Sequence, residues 1–396
     1  MIDFSLTKRE RKLQRMANDA ARKLIRPIAR YYDDYEHEHD EIKERDAIRQ
    51  AQADIGMQSL TLLRQLGKEP GTDLSGIVAT EEYYWGDAGV SLGAPNVGLG
   101  NAAIFAVGTK EQIERFGRKY TAMAITEPGA GSDSAAIRAT AKLDQSTNEW
   151  VLNGEKIFVT GADRCEAVVV WASLDRSQGR AAIKSFVVEK GTPGFTLTKL
   201  ENKCGIRASD TGSFALEDCR IPYDNILGTP EIKVKKGGFQ GVMKTFDMTR
   251  PLVAIQAIGV ARAALDFTKE KLEVAGYTFP YDRPLGELSV IQHTVLEMEA
   301  NLEVARLLTY RAVAMMNQGL RNSLEASMSK AKAGRSATLV TQKCVALLGP
   351  LGYSREWLVE KWMRDSKITD LFEGTGQIQM LIIARTILGF QREQLK

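Results

Sequence analysis

Glu373 is a lone carboxylate set between Leu371-Phe372 and Gly374, where Ile378, Leu381, Ile382, Arg385 and Leu388 begin a helical period. In that setting it can act as a base. It has a plainer reading too: an acidic residue in the first turn of a helix, favoured there by the dipole and needing no chemistry. The two effects differ in size. A first-turn dipole is worth about 0.3 to 1 kcal/mol and weakens a carboxylate as a base. Enclosure away from water can raise a carboxyl pKa by up to about 3 to 5 units, each worth about 1.4 kcal/mol. Desolvation dominates, so an apolar substrate that expels water would make Glu373 a stronger base, with Phe372 as apolar cover and Gly374 leaving space beside it.

Three other stretches could do chemistry. In Ile125-Thr126-Glu127-Pro128-Gly129-Ala130-Gly131-Ser132-Asp133, the glycines let backbone amides approach an anionic or planar ligand, although Pro-Gly and Gly-Ser-Asp also suit a plain turn. Asn153 to Thr160 ends in Phe158-Val159-Thr160, an aromatic and β-branched run that by itself reads as an ordinary core strand. Phe246-Asp247-Met248-Thr249-Arg250-Pro251 carries a charge that burial would force to find a partner, and a helix-start ion pair satisfies it equally. Gly98-Leu99-Gly100-Asn101-Ala102-Ala103 matches a dinucleotide fingerprint formally. No apolar strand precedes it and no acidic residue follows at the required distance, so a close-packed helix turn is expected.

Composition narrows the partners. With 53 basic against 50 acidic residues in 396, the net charge of +3 is too balanced to call for nucleic acid or a membrane surface. Cys165, Cys204, Cys219 and Cys344 form no Cys-x-x-Cys pair, and His37 and His39 sit among carboxylates, so no metal site is expected. No apolar run approaches the roughly 18 to 20 residues of a bilayer span, and the N-terminus lacks a signal core, which points to a cytoplasmic protein.

The elements that would position these residues fall into three parts. Residues 1–120 read as helical, opening with a capping box at Thr7 and Glu10 and with Pro27 kinking or ending the first helix. Residues 121–232 switch to short β-branched runs: 137–143, 150–152, 156–160, 167–172, 185–188, 195–200 and 213–221. Asn153-Gly154, Gly161 and Thr192-Pro193-Gly194 read as turns between them, which suggests a small antiparallel sandwich or barrel. Residues 233–396 return to helical period, with Leu288, Ile291, Val295, Met298, Leu302 and Ala305 forming a seam and Trp357 to Trp362 behaving similarly, hence a bundle.

Together the strings 125–133, 246–251 and 372–379 resemble the signatures of the acyl-CoA dehydrogenases, and the similarity runs over nearly the whole chain. The resemblance implies an α+β, mostly α fold, with an N-terminal helical domain, a middle antiparallel β-domain and a C-terminal four-helix bundle. It implies FAD as cofactor, acyl-CoA as substrate, fatty-acid β-oxidation as setting, and a homotetramer passing electrons to an electron-transfer flavoprotein. Glu373 would abstract the α-proton while the β-hydride goes to flavin N5, giving the trans-2-enoyl-CoA. The Glu373 amide and a flavin ribityl hydroxyl would hold the thioester oxygen.

By the same resemblance Ile125 and Thr126 meet the flavin's pyrimidine end, and Ser132 lies between pyrophosphate and acyl-CoA, beside Gly131. Phe158 stands where many members carry tryptophan, followed by Val159, and Thr160 would donate a hydrogen bond near N5. Asp247 and Arg250 would position the CoA arm, with Phe372 and Gly374 also on the substrate. Thr249 occupies the place where some relatives keep their glutamate, which leaves Glu373 as the matching base. Thr375 and Gln377 count among the FAD positions, as do Gly349 and Arg283, although here the sequence departs from the pattern. Asp282-Arg283-Pro284-Leu285-Gly286 is shortened, and Ala346 replaces a familiar glutamine before Gly349-Pro350. Two alternatives stay open: an acyl-CoA oxidase using oxygen, and a partly FAD-binding subunit of a heteromeric enzyme.

Overall fold

The structure, a computed structural model, describes residues 5–37, 42–66, 73–94, 98–232, 239–390 and 394, without the side chains of 59, 60, 62–66 and 239–246. His39 and the Phe246 side chain therefore lie outside the described residues. Thr7 caps α1 (Lys8–Ala20) reciprocally: its hydroxyl accepts from the Glu10 amide at 3.2 Å and the Glu10 carboxylate accepts from the Thr7 amide at 2.9 Å. Pro27 does not end the helical path. A π-turn (Ala21–Ile25) and a 3-10 turn (Arg26–Ile28) absorb its missing donor before α2 (Ala29–Asp34) resumes. There follow α3 (Arg45–Leu66), α4 (Ser75–Gly86), α5 (Ala88–Gly93), α6 (Leu99–Val107) and α7 (Lys110–Phe116). Gly98 and Gly100 start α6 so close to the Thr121 and Ala122 carbonyls that any Cβ would collide with them. The glycine pattern there serves packing, as expected.

Seven strands follow: β1 (Thr121–Ala124), β2 (Thr140–Asp144), β3 (Glu149–Thr160), β4 (Ala167–Ser173), β5 (Ile183–Glu189), β6 (Phe195–Leu200) and β7 (Thr211–Pro222). The sheet runs β1-β4-β2-β3-β7-β6, with β5 on the other edge of β4. Pairing is antiparallel except that β1 runs parallel to β4 and β2 meets β4 through one parallel pair. Val168, Val170 and Ala172 face the interior of the curled sheet, whereas Ala167, Val169 and Trp171 pack with Ala103, Ile104 and Phe116 of α6 and α7. A strand covered on both faces needs apolar residues at every position, which is why 167–172 does not alternate. The Asn153-Gly154 turn is a correction. The strand continues through it as a bulge, with Gly154 at φ +146° packed on Ala139.

The remaining helices are α8 (Phe239–Val274), α9 (Val290–Asn317), α10 (Ser323–Leu348), α11 (Pro350–Tyr353), α12 (Val359–Ile368) and α13 (Gly376–Leu388). α10 packs against α8, α9, α12 and α13. By length and composition Asp247–Val274 could cross a bilayer, but it is mostly buried within the protein. One apolar core joins the two helical regions, taking in Ile25, Val78 and Trp85 together with Ile258, Met298 and Trp362. Buried charges stitch the same junctions. Glu81 of α4 takes Arg262 of α8 and Arg306 of α9, each at 2.9 Å. Lys361 lies between Asp365 at 2.6 Å and Asp87, and Asp365 also accepts the Ile206 amide at 2.6 Å from the β-region.

Gly205, next to that amide, sits where a Cβ would lie 2.6 Å from the Arg364 carbonyl carbon and oxygen. Backbone cannot rotate aside. Gly205→Ala is expected to destabilise the fold by about 1 to 3 kcal/mol, the usual cost of overpacking, readable as a lowered thermal midpoint. An unchanged midpoint would mean the β-region and α12 are not packed this tightly.

Candidate active site

A cavity of about 890 Å³ opens between the loop after β1, the end of β3, α8 and the turn before α13. The upstream loop is built around a buried carboxylate. Glu127 closes a tight turn through its backbone, exchanging hydrogen bonds with Ala130 at 3.1 and 3.0 Å. Its side chain accepts from the Arg138 and Ala139 amides at 2.6 and 3.0 Å and from Lys156 Nζ at 2.7 Å. Lys156, fully buried on β3, also donates to the Ile125 carbonyl at 3.1 Å, and the Ile157 amide to the Thr126 carbonyl at 2.9 Å. Burial lowers the Lys156 pKa while Glu127 pulls it back. The pair staples the loop to β3, so Ile125, Thr126, Gly131 and Ser132 form one wall.

A second bulge in β3, between Lys156 and Val159, sets the opposite wall. It places Phe158 at φ +58° and turns Ile157, Phe158 and Thr160 to the cavity. Phe158 is 61% exposed, unusual for a strand phenylalanine, while Val159 points into the sheet interior at 1%. The Val159 side chain therefore packs in the core rather than on the wall, because the bulge resets the alternation so that Phe158 and Thr160 face the cavity and Val159 the interior.

Glu373 lies on the cavity too, but not in a helical turn. Thr375 is the N-cap of α13, accepting from the Ile378 amide at 3.4 Å, which puts Glu373 two residues before the cap and outside the helix. The first-turn reading fails for that reason. Glu373 is at φ +54° and Gly374 at φ +91°. A left-handed non-glycine residue costs on the order of 1 kcal/mol or more and persists only where its surroundings hold it. Here the Gly374 carbonyl accepts from Lys330 Nζ at 2.5 Å and from Gln379 Nε2 at 3.1 Å, and a Cβ on Gly374 would lie 2.6 Å from that Nε2. Oε2 of Glu373 and the Thr249 hydroxyl are both sealed from solvent and face each other, but neither has a partner in hydrogen-bond geometry. Burial raises the Glu373 pKa, and the Thr249 hydroxyl, Lys330 and Arg250 oppose the rise.

Arg250 reaches the cavity from α8, buried, with Asp247 behind it at 3.0 Å; Asp247 also takes the Ser323 hydroxyl. Asp247 is thus a support for Arg250 rather than a cavity residue. Phe372, Gly374 and Thr375 line the cavity, as do Ile378, Leu381 and Arg385 of α13. Beyond Val159 and Asp247, three further assigned positions do not. Gln377 points to solvent, Arg283 stands on an exposed loop, and Gly349 is the left-handed cap between α10 and α11, at φ +54°. No group of acidic, histidine or cysteine side chains among the described residues could hold a metal ion.

The walls fit a flat group with an anionic tail. A Cβ on Gly129 or Gly131 would meet nothing within 4 Å, so the loop backbone borders open space, and the exposed Phe158 ring and Thr160 stand across from it. Sequence reasoning missed Lys330, Gln379 and the Glu127–Lys156 pair. A signal for the first existed: Lys330 shares a buried helical stripe with Ala326, Ala333, Ala337 and Cys344, where a lysine has no bland reason to be.

Known proteins match along nearly the whole chain. Three family models fit: acyl-CoA dehydrogenase N-terminal domain at 7–124, middle domain at 122–219 and C-terminal domain at 236–388. The short-chain-specific acyl-CoA dehydrogenase of Clostridium acetobutylicum is 34% identical over 98% of this chain and 100% of that protein. An acryloyl-CoA reductase (NADH) of Anaerotignum propionicum is 33% identical over 98% and 96%. Among solved structures, butyryl-CoA dehydrogenase from Megasphaera elsdenii superposes with a TM-score of 0.82 at 32% identity, over 98% of this chain and 100% of that one.

Proposed function

The chain belongs to the acyl-CoA dehydrogenase family, and on that premise we propose that Glu373 is the base removing the α-proton of a short-chain acyl-CoA. The enzyme is an acyl-CoA oxidoreductase and FAD is its cofactor. The single observation that carries the assignment of Glu373 is its placement: a carboxylate with one sealed oxygen, held in a left-handed turn on the same cavity as the 125–132 loop.

The α-hydrogen of a thioester is weakly acidic, so its removal needs a desolvated base and donors aimed at the developing enolate oxygen. An acyl chain among Leu371, Phe372 and Ile378 excludes water from Glu373 and strengthens it. The Glu373 amide is assigned to the thioester oxygen, and Arg250, backed by Asp247, to the CoA arm. Ile125, Thr126, Gly131, Ser132, Phe158 and Thr160 would hold the FAD, with Thr375 beside them. When bound, FAD supplies the redox chemistry, accepting hydride from the β-carbon.

The short chain follows the names of the relatives, and electron-transfer flavoprotein is the proposed acceptor in a cytoplasmic β-oxidation setting. A homotetramer is the proposed assembly, and the loop of Arg283, where Tyr281 is 72% and Leu285 67% exposed, is apolar surface that a second copy would cover. The reductase relative supports a second reading, the same site run in reverse, with Glu373 returning a proton to the α-carbon.

Anaerobic addition of butyryl-CoA to the FAD-loaded protein is expected to bleach the flavin, with longer acyl-CoAs bleaching it more slowly. Slow recolouring in air supports a dehydrogenase; fast recolouring indicates an oxidase. No bleaching by any acyl-CoA, with bleached protein instead recoloured by an enoyl-CoA, would favour the reductive direction.

A further inference from the structure

One buried cation has no part in the reaction as assigned. Lys330 of α10 is fully buried, and its Nζ donates to the Gly374 carbonyl at 2.5 Å, one residue from Glu373. We infer that Lys330 is a positioning residue for the base: its ammonium anchors the Gly374 carbonyl, holds Glu373 in its left-handed turn and presents positive charge to the Glu373 carboxylate. The inference rests on the reading of Glu373 as base.

Several charged or polar groups face this pair. From α8 come Arg250 and the Thr249 hydroxyl, from α10 Lys330 itself, and from α4 the buried Tyr84, whose pKa is raised by burial and by Glu373. Asp370, in the turn before α13, faces Lys330. Burial lowers the Lys330 pKa to about 8, with Asp370 and Glu373 pulling it up and Arg250 pushing it down. The ammonium is therefore charged at neutral pH. It acts on Glu373 opposite to burial, favouring the ionised base before substrate arrives. A lysine on an otherwise small and apolar stripe is costly to bury. The carbonyl it meets belongs to the left-handed turn at Glu373 and Gly374, and Gln379 supplies its second donor.

The test separates charge from hydrogen bonding with three variants of the FAD-loaded protein. Lys330→Met loses both, Lys330→Gln keeps a donor without charge, and Lys330→Arg keeps the charge. The acid limb of kcat/KM against pH is read for each. In the FAD-loaded protein without substrate, an infrared titration follows the Glu373 carboxyl band, assigned by its loss in Glu373→Gln. Removing a nearby opposite charge raises a carboxyl pKa, so both readouts should move up by about one pH unit in the Met and Gln variants and stay near wild type in Arg. The Met variant should also lose about tenfold in kcat. Should it fail to fold, Gln and Arg carry the comparison. An unmoved limb and band in the neutral variants, or a uniform fall in activity at every pH, would reduce Lys330 to a structural residue. If the wild type is inactive or Glu373→Gln fully active, the base assignment fails instead, and the infrared titration still reports whether Lys330 and Glu373 are coupled.

Discussion

Glu373→Gln should keep its FAD and lose about two to four orders of magnitude in turnover, the scale of a general base. The amide is nearly isosteric, and the backbone groups that hold the turn are unchanged: Gly374 O still meets Lys330 and Gln379. The fold and the flavin spectrum should therefore survive while the proton acceptor is gone. The check is single-turnover flavin reduction by acyl-CoA, set against bound-flavin absorbance. Near-normal reduction would move the base elsewhere. The wild-type pH profile follows from the same residue. Burial raises the Glu373 pKa and the base must be ionised to act, so kcat/KM should rise with pH through a midpoint above the ordinary glutamate range. A midpoint in the ordinary range would mean the carboxylate is solvated in the free enzyme, and one below it that Lys330 and Arg250 outweigh burial.

Lys156→Ala should destabilise the protein by about 3 to 5 kcal/mol, because it leaves the buried Glu127 carboxylate without its cation. The loss also frees the Ile125 carbonyl that Lys156 holds, so FAD retention should fall with stability. Chemical denaturation reads the first effect and flavin content after gel filtration the second. A Glu127→Gln, Lys156→Met double variant should recover part of the stability, since two neutral groups replace one stranded charge. A Lys156→Ala loss below about 1 kcal/mol would put the pair in the class of solvated surface bridges.

Much of the helical–β–helical order was readable, because periods of 3.6 and 2 are local properties of the chain. Phe195–Leu200 has the same bounds in sequence and structure, and the capping box at Thr7 is a three-residue pattern. The bulges of β3 were not readable. Asn153-Gly154 carries the residues of a turn, but its strand is held continuous by pairing with β7, which lies far along the chain. Val159 was expected at the FAD site, and that its side chain packs in the sheet interior was not readable for the same reason, since one extra residue at Phe158 resets which side chains face the cavity. The parallel placement of β1 depends on β4, more than forty positions later, and no local signal announces it.

The sequence by itself determined the chemistry on offer: one acid beside a glycine, a glycine-bearing loop, an Arg-Pro helix segment, and the family these strings resemble. Residue type and short spacing are carried by the chain whatever its conformation. Only the tertiary structure decided that Glu373 is a strained residue outside its helix, with one oxygen sealed and Lys330 at its back. Desolvation and charge proximity are properties of three-dimensional enclosure. The residues that impose them, Thr249, Arg250 and Lys330, come from helices distant in the chain and meet Glu373 only when the bundle closes.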